Sequence, residues 1–364
     1  MSEANVQGHS IQGLIKFHGL KDENLRIPYH SSISICVKQV YTVTTTRHRH
    51  DSTEDIYLFN GKPAAGRELE RIKSVVGRVR ELGRMHGYDV DTGLEFDSSN
   101  YIGLPPDAMP ANSKIAKGLG FSSSSFPTYV YGAAQVLGLK FIVENPRLRS
   151  SISRRGSTSA ARGDAGAYAK LHMPSWHSSD KDRDCYAEQI ASVDQFPDFR
   201  MVVFPLASQH GTETAHREAA QASLFPSRLA YLRKVLPEMK NAILEKNFAN
   251  MCELAEADTM NLHGVTMNGP SRIVHMRPES LPIIERVKQL REEKKIPAWY
   301  SLDTGPSVFV NTEERYVNDV INTMSDIKIQ PIVCHPGEEV HLVDRDFILS
   351  LPRDVVEGIR QKPQ

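Results

Sequence analysis

Hydrophobic positions in the first 60 residues follow the pattern of β-strands. The segment 33–46 (ISICVKQVYTVTTT) is rich in β-branched residues and partly alternates, and Asn60-Gly61 after IYLF is a hairpin signal. Apolar residues then recur at three- and four-residue spacing, which predicts an amphipathic helix over 66–86. The residues that carry this spacing are Leu69, Ile72, Val75, Val79 and Leu82. Gly87 closes the helix, and GLEFD returns to strand.

The periodicity breaks down in the middle of the chain. Over 99–127 several prolines precede the run GLGF and four serines, and a helix is predicted from about 127 to 138. Residues 147–163 are dense in arginine, glycine and serine, and 174–184 is polar without periodicity. We therefore place a domain boundary at about residue 185, which predicts domains over 1–185 and 186–364.

Helical and strand patterns return in the second half. FRMVVFPL reads as a short buried strand, and leucine spacing predicts helices over 229–243 and 281–290. Two short strands, AWYSLD and SVFVN, flank a turn at 304–306, and a helix near 313–324 and a strand near 328–333 follow. Strands mixed with helices, without strict alternation, favour an α+β fold.

Composition narrows the class of protein. The chain has 364 residues, and 44 basic side chains balance 44 acidic ones, so no overall field recruits nucleic acid or an anionic membrane. The cysteines are scattered without a CxxC pair, which indicates neither a zinc site nor a disulfide framework: Cys36, Cys185, Cys252 and Cys334. No signal peptide and no run of 18 apolar residues is present. A cytoplasmic globular protein is the expectation.

Two N-terminal stretches could carry chemistry. Lys16 lies on or just after a short strand, where a lysine is either a solvated strand end or a catalytic cation. The stretch 117–125 (KGLGFSSSS) precedes a helix, so its backbone N–H groups could meet a phosphate, although no Walker sequence follows. The alternative for this second stretch is a flexible loop that ends in a serine N-cap.

Two further stretches lie in the middle and near the end of the chain. Residues 154–163 (RRGSTSAARG) surround Arg162 with small residues, which suits a carboxylate or phosphate better than a solvated surface. Asp303 ends an apolar strand before a tight turn, a position that also suits a simple turn former. Asp-Thr-Gly occurs at both Asp91 and Asp303, yet neither copy has the following Ser or Thr of an aspartic protease. No GxSxG elbow is present, and the remaining histidines show no metal-ligand spacing.

Taken in order, four segments resemble the mevalonate-diphosphate decarboxylase family of the GHMP-kinase superfamily. They are Ile11–Ser34, Arg155–Gly166, Asn261–Met276 and Tyr300–Ser307. The first, IQGLIKFHG, is closer still to the haloarchaeal phosphomevalonate decarboxylases with their HPIQGL(V/I)KYHG opening. The resemblance implies a two-domain α+β fold, with an N-terminal half like domain 2 of ribosomal protein S5 and a ferredoxin-like C-terminal half. It also implies a cleft between the domains and a homodimer.

The resemblance implies roles for individual residues. Lys16, Arg162 and Asp303 stand where the family keeps its catalytic lysine, its substrate-carboxylate arginine and its catalytic aspartate. The substrate is expected near Ser157, Ser159, Ser208, Phe17 and His18. Ser208 corresponds to a serine that holds the terminal phosphate, but the neighbouring family arginine is Gln209 here. That departure, with Phe17 in place of tyrosine, predicts a phosphate tail different from a diphosphate.

The phosphate loop departs from the family pattern. Its residues are Gly120, Phe121, Ser122, Ser123, Ser124, Ser125 and Phe126, with phenylalanine at both ends of the serine run where the haloarchaeal pattern has glycine. Glycine lets backbone N–H groups reach phosphate oxygens, so the two rings are expected to fill the volume of a nucleotide. If the alignment slips by one residue, Gly120 keeps the family role instead.

Exclusion of ATP would narrow the resemblance to the ATP-independent archaeal branch, which acts on mevalonate 3,5-bisphosphate. The predicted activity is therefore that of a carbon–carbon lyase that releases isopentenyl phosphate, CO2 and phosphate. No resident cofactor or metal is expected, and Mg2+ or ATP enters only with the alternative, an ATP-dependent phosphomevalonate or diphosphomevalonate decarboxylase. A mevalonate 3-kinase is disfavoured because Asp303 is present, and a non-catalytic relative because all three charged residues are retained.

Overall fold

Two long strands form the centre of the largest sheet in the computed structural model, which describes residues 2–105, 107–110, 119–208 and 212–352. β1 (Glu3–Ile15) and β4 (Ser32–Arg49) pair antiparallel over nearly their whole length. Nearly every position of both strands is buried, and β-branched side chains fill much of them, as expected for the middle of a covered sheet. β1 ends at Ile15, so the main chain delivers Lys16 at the tip of the strand.

Shorter strands extend this first sheet. The other edge of β4 pairs with two of them, the start with Tyr168–Leu171 and the end with Gly93–Ile102. In chain order the further strands are β5 (Ile56–Phe59), β6 (Lys62–Pro63), β7 (Gly93–Ile102), β8 (Met109–Pro110), β9 (Tyr168–Leu171) and β10 (Ala187–Ala191). β5 runs parallel to β7, and the other pairs of this sheet are antiparallel. β2 (Leu20–Asp22) and β3 (Ile27–Pro28) form a separate two-stranded ribbon.

A second sheet is built from the C-terminal half. Its strands are β11 (Phe199–Phe204), β12 (Ala298–Ser301), β13 (Val308–Glu313) and β14 (Ile332–Cys334), in the antiparallel order β12-β13-β11-β14. The chain then returns to the first sheet, where β15 (His341–Leu342) pairs with β1. The boundary at about residue 185 remains a prediction. β10 still belongs to the first sheet, and β11 begins the second.

Helices cover the sheets. They are α1 (Gly66–Met85), α2 (Ser122–Val136), α3 (Lys140–Val143), α4 (Pro146–Gly156), α5 (Ala160–Ala165), α6 (Thr212–Glu218), α7 (Phe225–Leu244), α8 (Phe248–Met267), α9 (Ser280–Glu292), α10 (Val317–Thr323) and α11 (Arg345–Ser350). Short 3-10 turns span Val193–Gln195, Ala219–Gln221 and Glu314–Tyr316.

Three apolar cores hold these layers together. One lies between the first sheet and α1, α2 and α4, and a second lies between the two sheets and takes in α7 and α8. The third lies between the second sheet and α9 and α10. β11 shows the two-residue period of a strand covered on both faces, because Met201 and Val203 belong to the second core while Val202 and Phe204 belong to the third.

The predicted elements agree with this architecture in most places, and two of the differences bear on the site. The helix predicted from about 127 begins at Ser122, so the serine run is helical. The hydroxyls of Ser123 and Ser124 donate to the carbonyls of Gly120 and Phe121, 2.7 and 2.9 Å away, which suits serine to a first helical turn. Sequence analysis also missed α8, because buried polar residues interrupt its apolar stripe.

The two phenylalanines beside the serine run lie inside cores. Phe121 belongs to the core between the sheets, and Phe126 belongs to the core under α1, where Gly156 leaves room for it. A Cβ on Gly156 would come within 2.3 Å of the Phe126 ring. The expectation that these rings occupy a nucleotide cleft is therefore not supported by their placement, since each ring serves a core.

We expect Phe126→Ala to lower the free energy of unfolding by about 3–5 kcal/mol, as for other large-to-small changes in a packed core. Ser122→Ala in the same helical turn is the matched control, because Ser122 is exposed, and it should change stability by no more than about 0.5 kcal/mol. Urea unfolding followed by circular dichroism measures both. Wild-type stability of Phe126→Ala would show that the ring is not part of the core.

Candidate active site

Lys16 reaches the interior from the end of β1. The residue is 4% exposed, and its ammonium group donates to the carbonyl of Ala255 at 3.2 Å and to Ser301 Oγ at 3.0 Å. Burial lowers the pKa of this ammonium group, and the carboxylates of Asp258 and Asp303 act in the opposite direction. The lysine is therefore a buried cation held against the second sheet, which excludes the solvated strand end.

Asp303 stands just beyond β12, facing β1. Both carboxylate oxygens accept the Gly13 N–H at 3.2 Å, and the main-chain carbonyl of Asp303 accepts from His263 Nε2 at 2.9 Å. Burial raises the pKa of this carboxyl, while Lys16, the Gly13 N–H and Arg162 all favour its charged form. The aspartate is thus held at two points, by its side-chain carboxylate and by its main-chain carbonyl.

Arg162 projects from the short helix α5 toward the same region. Its Nε donates to Ser34 Oγ at 3.1 Å, its Nη1 donates to Ser32 Oγ, and the Phe17 ring lies 5.8 Å from the guanidinium carbon. Burial lowers the pKa of Arg162 to about 10, and Asp303 opposes that shift. Within the described residues this guanidinium forms no ion pair closer than 4.0 Å, so its charge is not neutralised by direct contact.

The three predicted catalytic residues therefore belong to one electrostatic group. Lys16 and Arg162 both act on the titration of Asp303, although the three come from β1, α5 and the turn after β12. Two cations and one carboxylate leave an excess of positive charge in a place where water is scarce. Such a site attracts an anionic substrate and stabilises a departing anion.

Gly13 allows the close approach of these groups. A Cβ at this position would lie 2.7 Å from Asp303 Oδ1 and 2.7 Å from Lys16 Cγ. Both distances are shorter than real Cβ contacts, so the side chain of Asp303 or of Lys16 would have to move. The glycine is required by contact with its neighbours and not by the backbone angle φ.

Of the residues expected to bind substrate, the structure connects some and leaves others apart. Ser157 and Ser159 lie together, with their hydroxyl oxygens 2.9 Å apart, and Phe17 stacks on His216 with ring centroids separated by 4.1 Å. Ser208 is half-buried in the segment that follows β11. Gln209 lies outside the described residues.

His18 is fully buried in a group of histidines. Its ring centroid lies 5.5 Å from that of His216, and its main-chain N–H donates to His30 Nε2 at 3.2 Å. Burial lowers the pKa of His18 well below its usual value, and the same cause lowers the pKa of His216 to about 3. Both rings are therefore neutral near pH 7, and His18 packs as part of the wall of the site.

The N-terminal end of α2 shows which residues of the predicted phosphate loop are exposed to solvent. Gly120 has a φ of +67° and is exposed, as is Ser122. Ser123 Oγ accepts the Ile11 N–H at 3.1 Å, and Ser124 Oγ lies 2.6 Å from Thr42 Oγ1, so these hydroxyls tie the helix to the sheet. The adjoining stretch 111–118 lies outside the described residues.

Sequence reasoning missed three residues around Lys16. Arg228 on α7 and Asp258 on α8 form an ion pair at 3.1 Å with both side chains 0% exposed, and His263 on α8 holds the carbonyl of Asp303. In the sequence, the segment Asn261–Met276 stands out only through its resemblance to the family. The sequence offers one signal for Asp258, which is that a charged residue stands among the apolar positions of 251–265.

Two other features, a metal-binding cluster and a membrane-spanning helix, are not found in the described part of the chain. Among the described residues, no three or more His, Cys, Asp or Glu side chains are arranged to hold a metal ion. No helix in the described part of the chain has the length and apolar character needed to cross a membrane.

The sequence and the fold match those of known proteins. Residues 8–187 match the model of the diphosphomevalonate decarboxylase-like N-terminal domain, and residues 207–338 match that of the mevalonate 5-diphosphate decarboxylase C-terminal domain. The mevalonate diphosphate decarboxylase of Staphylococcus aureus superposes with a TM-score of 0.81, at 24% identity, over 94% of this chain and 98% of its own. These matches define a two-domain, GHMP-kinase-type α+β fold.

Sequence relatives identify the family. The phosphomevalonate decarboxylase of Haloferax volcanii is 36% identical over 347 residues, covering 95% of this chain and 99% of its own. The Enterococcus faecalis mevalonate diphosphate decarboxylase, described with an ATP binding mechanism mediated by mevalonate diphosphate, has a TM-score of 0.78 and 25% identity over 94% of this chain and 99% of its own. The chain belongs to the diphosphomevalonate decarboxylase family and is an enzyme of the carbon–carbon lyase class.

We expect Gly13→Ala to lower kcat by about a hundredfold, because an added methyl group displaces Asp303 or Lys16 by a large part of an ångström. The midpoint of thermal unfolding is measured alongside, because Lys16 Cγ lies in the stem of a buried side chain and its displacement also costs some stability. Gly77→Ala is the control, because a Cβ there meets nothing within 4 Å. Steady-state kinetics of the two variants make the comparison, and an unchanged kcat for Gly13→Ala would contradict the tight arrangement.

Proposed function

We propose that this enzyme converts mevalonate 3,5-bisphosphate to isopentenyl phosphate, CO2 and inorganic phosphate, without ATP. The C3–O bond breaks and its electron pair leaves with the phosphate. The C1–C2 bond breaks as CO2 is released, and its electron pair forms the C2=C3 double bond. The observation that carries the proposal is the buried group of two cations, Lys16 and Arg162, around the carboxylate of Asp303.

Lys16 is assigned to the leaving phosphate. Its ammonium group is held by neutral acceptors, the carbonyl of Ala255 and the hydroxyl of Ser301, so its positive charge remains available to an incoming anion. A fixed cation at the point where negative charge develops stabilises the transition state without reorganisation. The low-dielectric surroundings strengthen that attraction.

Arg162 is assigned to the C1 carboxylate of the substrate. Ser34 uses the Nε–H and Ser32 uses one N–H of Nη1, so Nη2 and the second N–H of Nη1 can be presented to a carboxylate. Such a contact would orient the C1–C2 bond toward the emptying orbital at C3, which is the alignment that the elimination needs.

Asp303 is assigned to the electron-poor C3. The Gly13 N–H and the neighbouring cations favour the ionised carboxylate in spite of its burial. A carboxylate beside a developing cation lowers the barrier to departure of the phosphate. Ser157, Ser159 and Ser208 are assigned to the phosphate tail, as hydroxyl donors at the edge of the site.

The hydrogen bonds at the N-terminal end of α2 support the choice of a substrate that already carries its 3-phosphate. A helix N-terminus binds phosphate through N–H groups that lack an intrahelical partner. Here the N–H of Ser123 donates to Gly120 O at 2.9 Å, and those of Ser124 and Ser125 donate to Phe121 O at 3.1 and 3.0 Å. These three amides are already used, which weakens this helix end as a cradle for a nucleotide.

A second candidate is ATP-dependent decarboxylation of mevalonate 5-phosphate, or of its diphosphate. It is favoured by the similarity to the Haloferax phosphomevalonate decarboxylase and by the exposed Gly120 with its positive φ, which is the backbone that a phosphate loop uses. The same three charged residues would then act after phosphorylation of the 3-hydroxyl, and magnesium would enter with the nucleotide. A homodimer in the cytoplasm remains the expectation in either case.

The two candidates differ in their need for ATP. We expect the purified enzyme to release CO2 and phosphate in equal amounts from mevalonate 3,5-bisphosphate alone, and to form no ADP from mevalonate 5-phosphate with ATP and magnesium. Trapped CO2 and a coupled ADP assay measure the two reactions. ADP and CO2 from the second mixture, or from mevalonate 5-diphosphate with ATP and magnesium, would establish the ATP-dependent candidate. No CO2 from any of the three mixtures would exclude both candidates.

Replacement of the aspartate tests the catalytic assignment. We expect Asp303→Asn to lower kcat by at least about a hundredfold with the fold retained, because the amide keeps the shape but not the charge that stabilises C3. Lys16→Ala and Arg162→Ala should also remove most activity. Asp91→Asn, in the exposed second copy of Asp-Thr-Gly, is the control and should keep wild-type turnover. Near-normal turnover of Asp303→Asn would refute the role given to this residue.

A further inference from the structure

An ion pair with no access to solvent lies directly behind the catalytic lysine. Arg228 Nη1 and Asp258 Oδ1 are 3.1 Å apart, on the neighbouring helices α7 and α8, and both side chains are 0% exposed. Two charges in a core cost desolvation energy that apolar residues of the same volume would avoid. The pair therefore calls for an explanation beyond the stability of the fold.

Both members of the pair bind the main chain of Lys16. Asp258 Oδ2 accepts the Lys16 N–H at 2.8 Å, and Arg228 Nη2 donates to the Lys16 carbonyl at 2.6 Å. The two bonds hold the residue at the tip of β1, where no ladder partner remains to fix it. Asn261 Oδ1 accepts from Arg228 Nη1 at 2.7 Å and fixes the guanidinium in turn.

The pair also acts on the charge of the lysine. The charged and titratable groups that act on Lys16 come from three elements, α7, α8 and the turn after β12: Arg228, Asp258, His263 and Asp303. Asp258 favours the ammonium form and Arg228 disfavours it, while His263 is neutral because burial lowers its pKa to about 4. The two members of the ion pair thus have opposite effects on Lys16.

We propose that Arg228 and Asp258 are positioning residues, which hold the Lys16 main chain and set the charge of its ammonium group in the elimination. This inference rests on the proposed role of Lys16 at the leaving phosphate. The ion pair gives the lysine a fixed origin and a balanced electrostatic surrounding, which a hydrophobic pair of the same volume could not supply.

The pH dependence of kcat/KM separates this role from a structural one. If the ammonium form of Lys16 is the active one, activity falls as the pH rises through the pKa of Lys16 in the free enzyme. Asp258→Asn removes the group that favours the ammonium form, so the alkaline limb should move to lower pH by about one unit. Arg228→Gln removes the opposing cation, so the limb should move to higher pH by a similar amount.

A charge-neutral variant tests the positioning alone. Asn261→Ala loosens Arg228 without removing a charge, and we expect kcat to fall severalfold with the alkaline limb unchanged. Asp55→Asn disrupts a partly buried ion pair between the residue before β5 and Arg80 on α1, and it should alter neither kcat nor the alkaline limb. Arg228→Lys restores the cation and should return the limb of Arg228→Gln toward its wild-type position.

The same shifts can be read without turnover, from the 15N resonance of the Lys16 side chain in lysine-labelled protein. Opposite displacements of the Lys16 pKa in Asp258→Asn and Arg228→Gln support the proposal even if the enzyme acts on a different substrate. Equal pKa values in all variants, or displacements in the same direction, would overturn it. Loss of the assigned reaction in the wild-type enzyme, by contrast, would count against the proposed function alone.

Discussion

The site depends on one interaction, the attraction between the carboxyl group of Asp303 and the groups that surround it where water hardly reaches. Burial raises the pKa of Asp303, and Lys16, the Gly13 N–H and Arg162 act in the opposite direction. Each of these partners is itself buried, so none can be replaced by solvent. The carboxyl group of Asp303, the two basic side chains and the backbone amide therefore depend on one another. The fold has to bring all four groups to one place.

Several contacts between β1 and the second sheet lie at the site. β1 meets the second sheet through Lys16 with Ser301, through Gly13 with Asp303, and through Gln12 Nε2 with Asn311 Oδ1 at 3.0 Å. The apolar core between the sheets lies under these polar contacts. Lys16 and Asp303 come together only where the two sheets meet, because neither sheet alone holds both residues.

The family resemblance, more than any local pattern, assigns roles to Lys16, Arg162 and Asp303. Position alone leaves open a solvated strand end for Lys16 and a simple turn former for Asp303. Arg228 and Asp258 escaped notice because each lies within a helix, where a charged residue normally faces solvent. Only the packing of α7 against α8 and β1 shows that these two charges face inward.

The phenylalanines beside the serine run are conspicuous in the sequence, but the sequence does not show where their rings lie. A glycine-to-phenylalanine difference in a loop predicts bulk in the cleft, but the direction of a side chain depends on where the helix begins. Since α2 begins at Ser122, Phe121 and Phe126 project into two cores. The size of these two side chains is therefore a matter of core packing, which a comparison of sequences alone does not reveal.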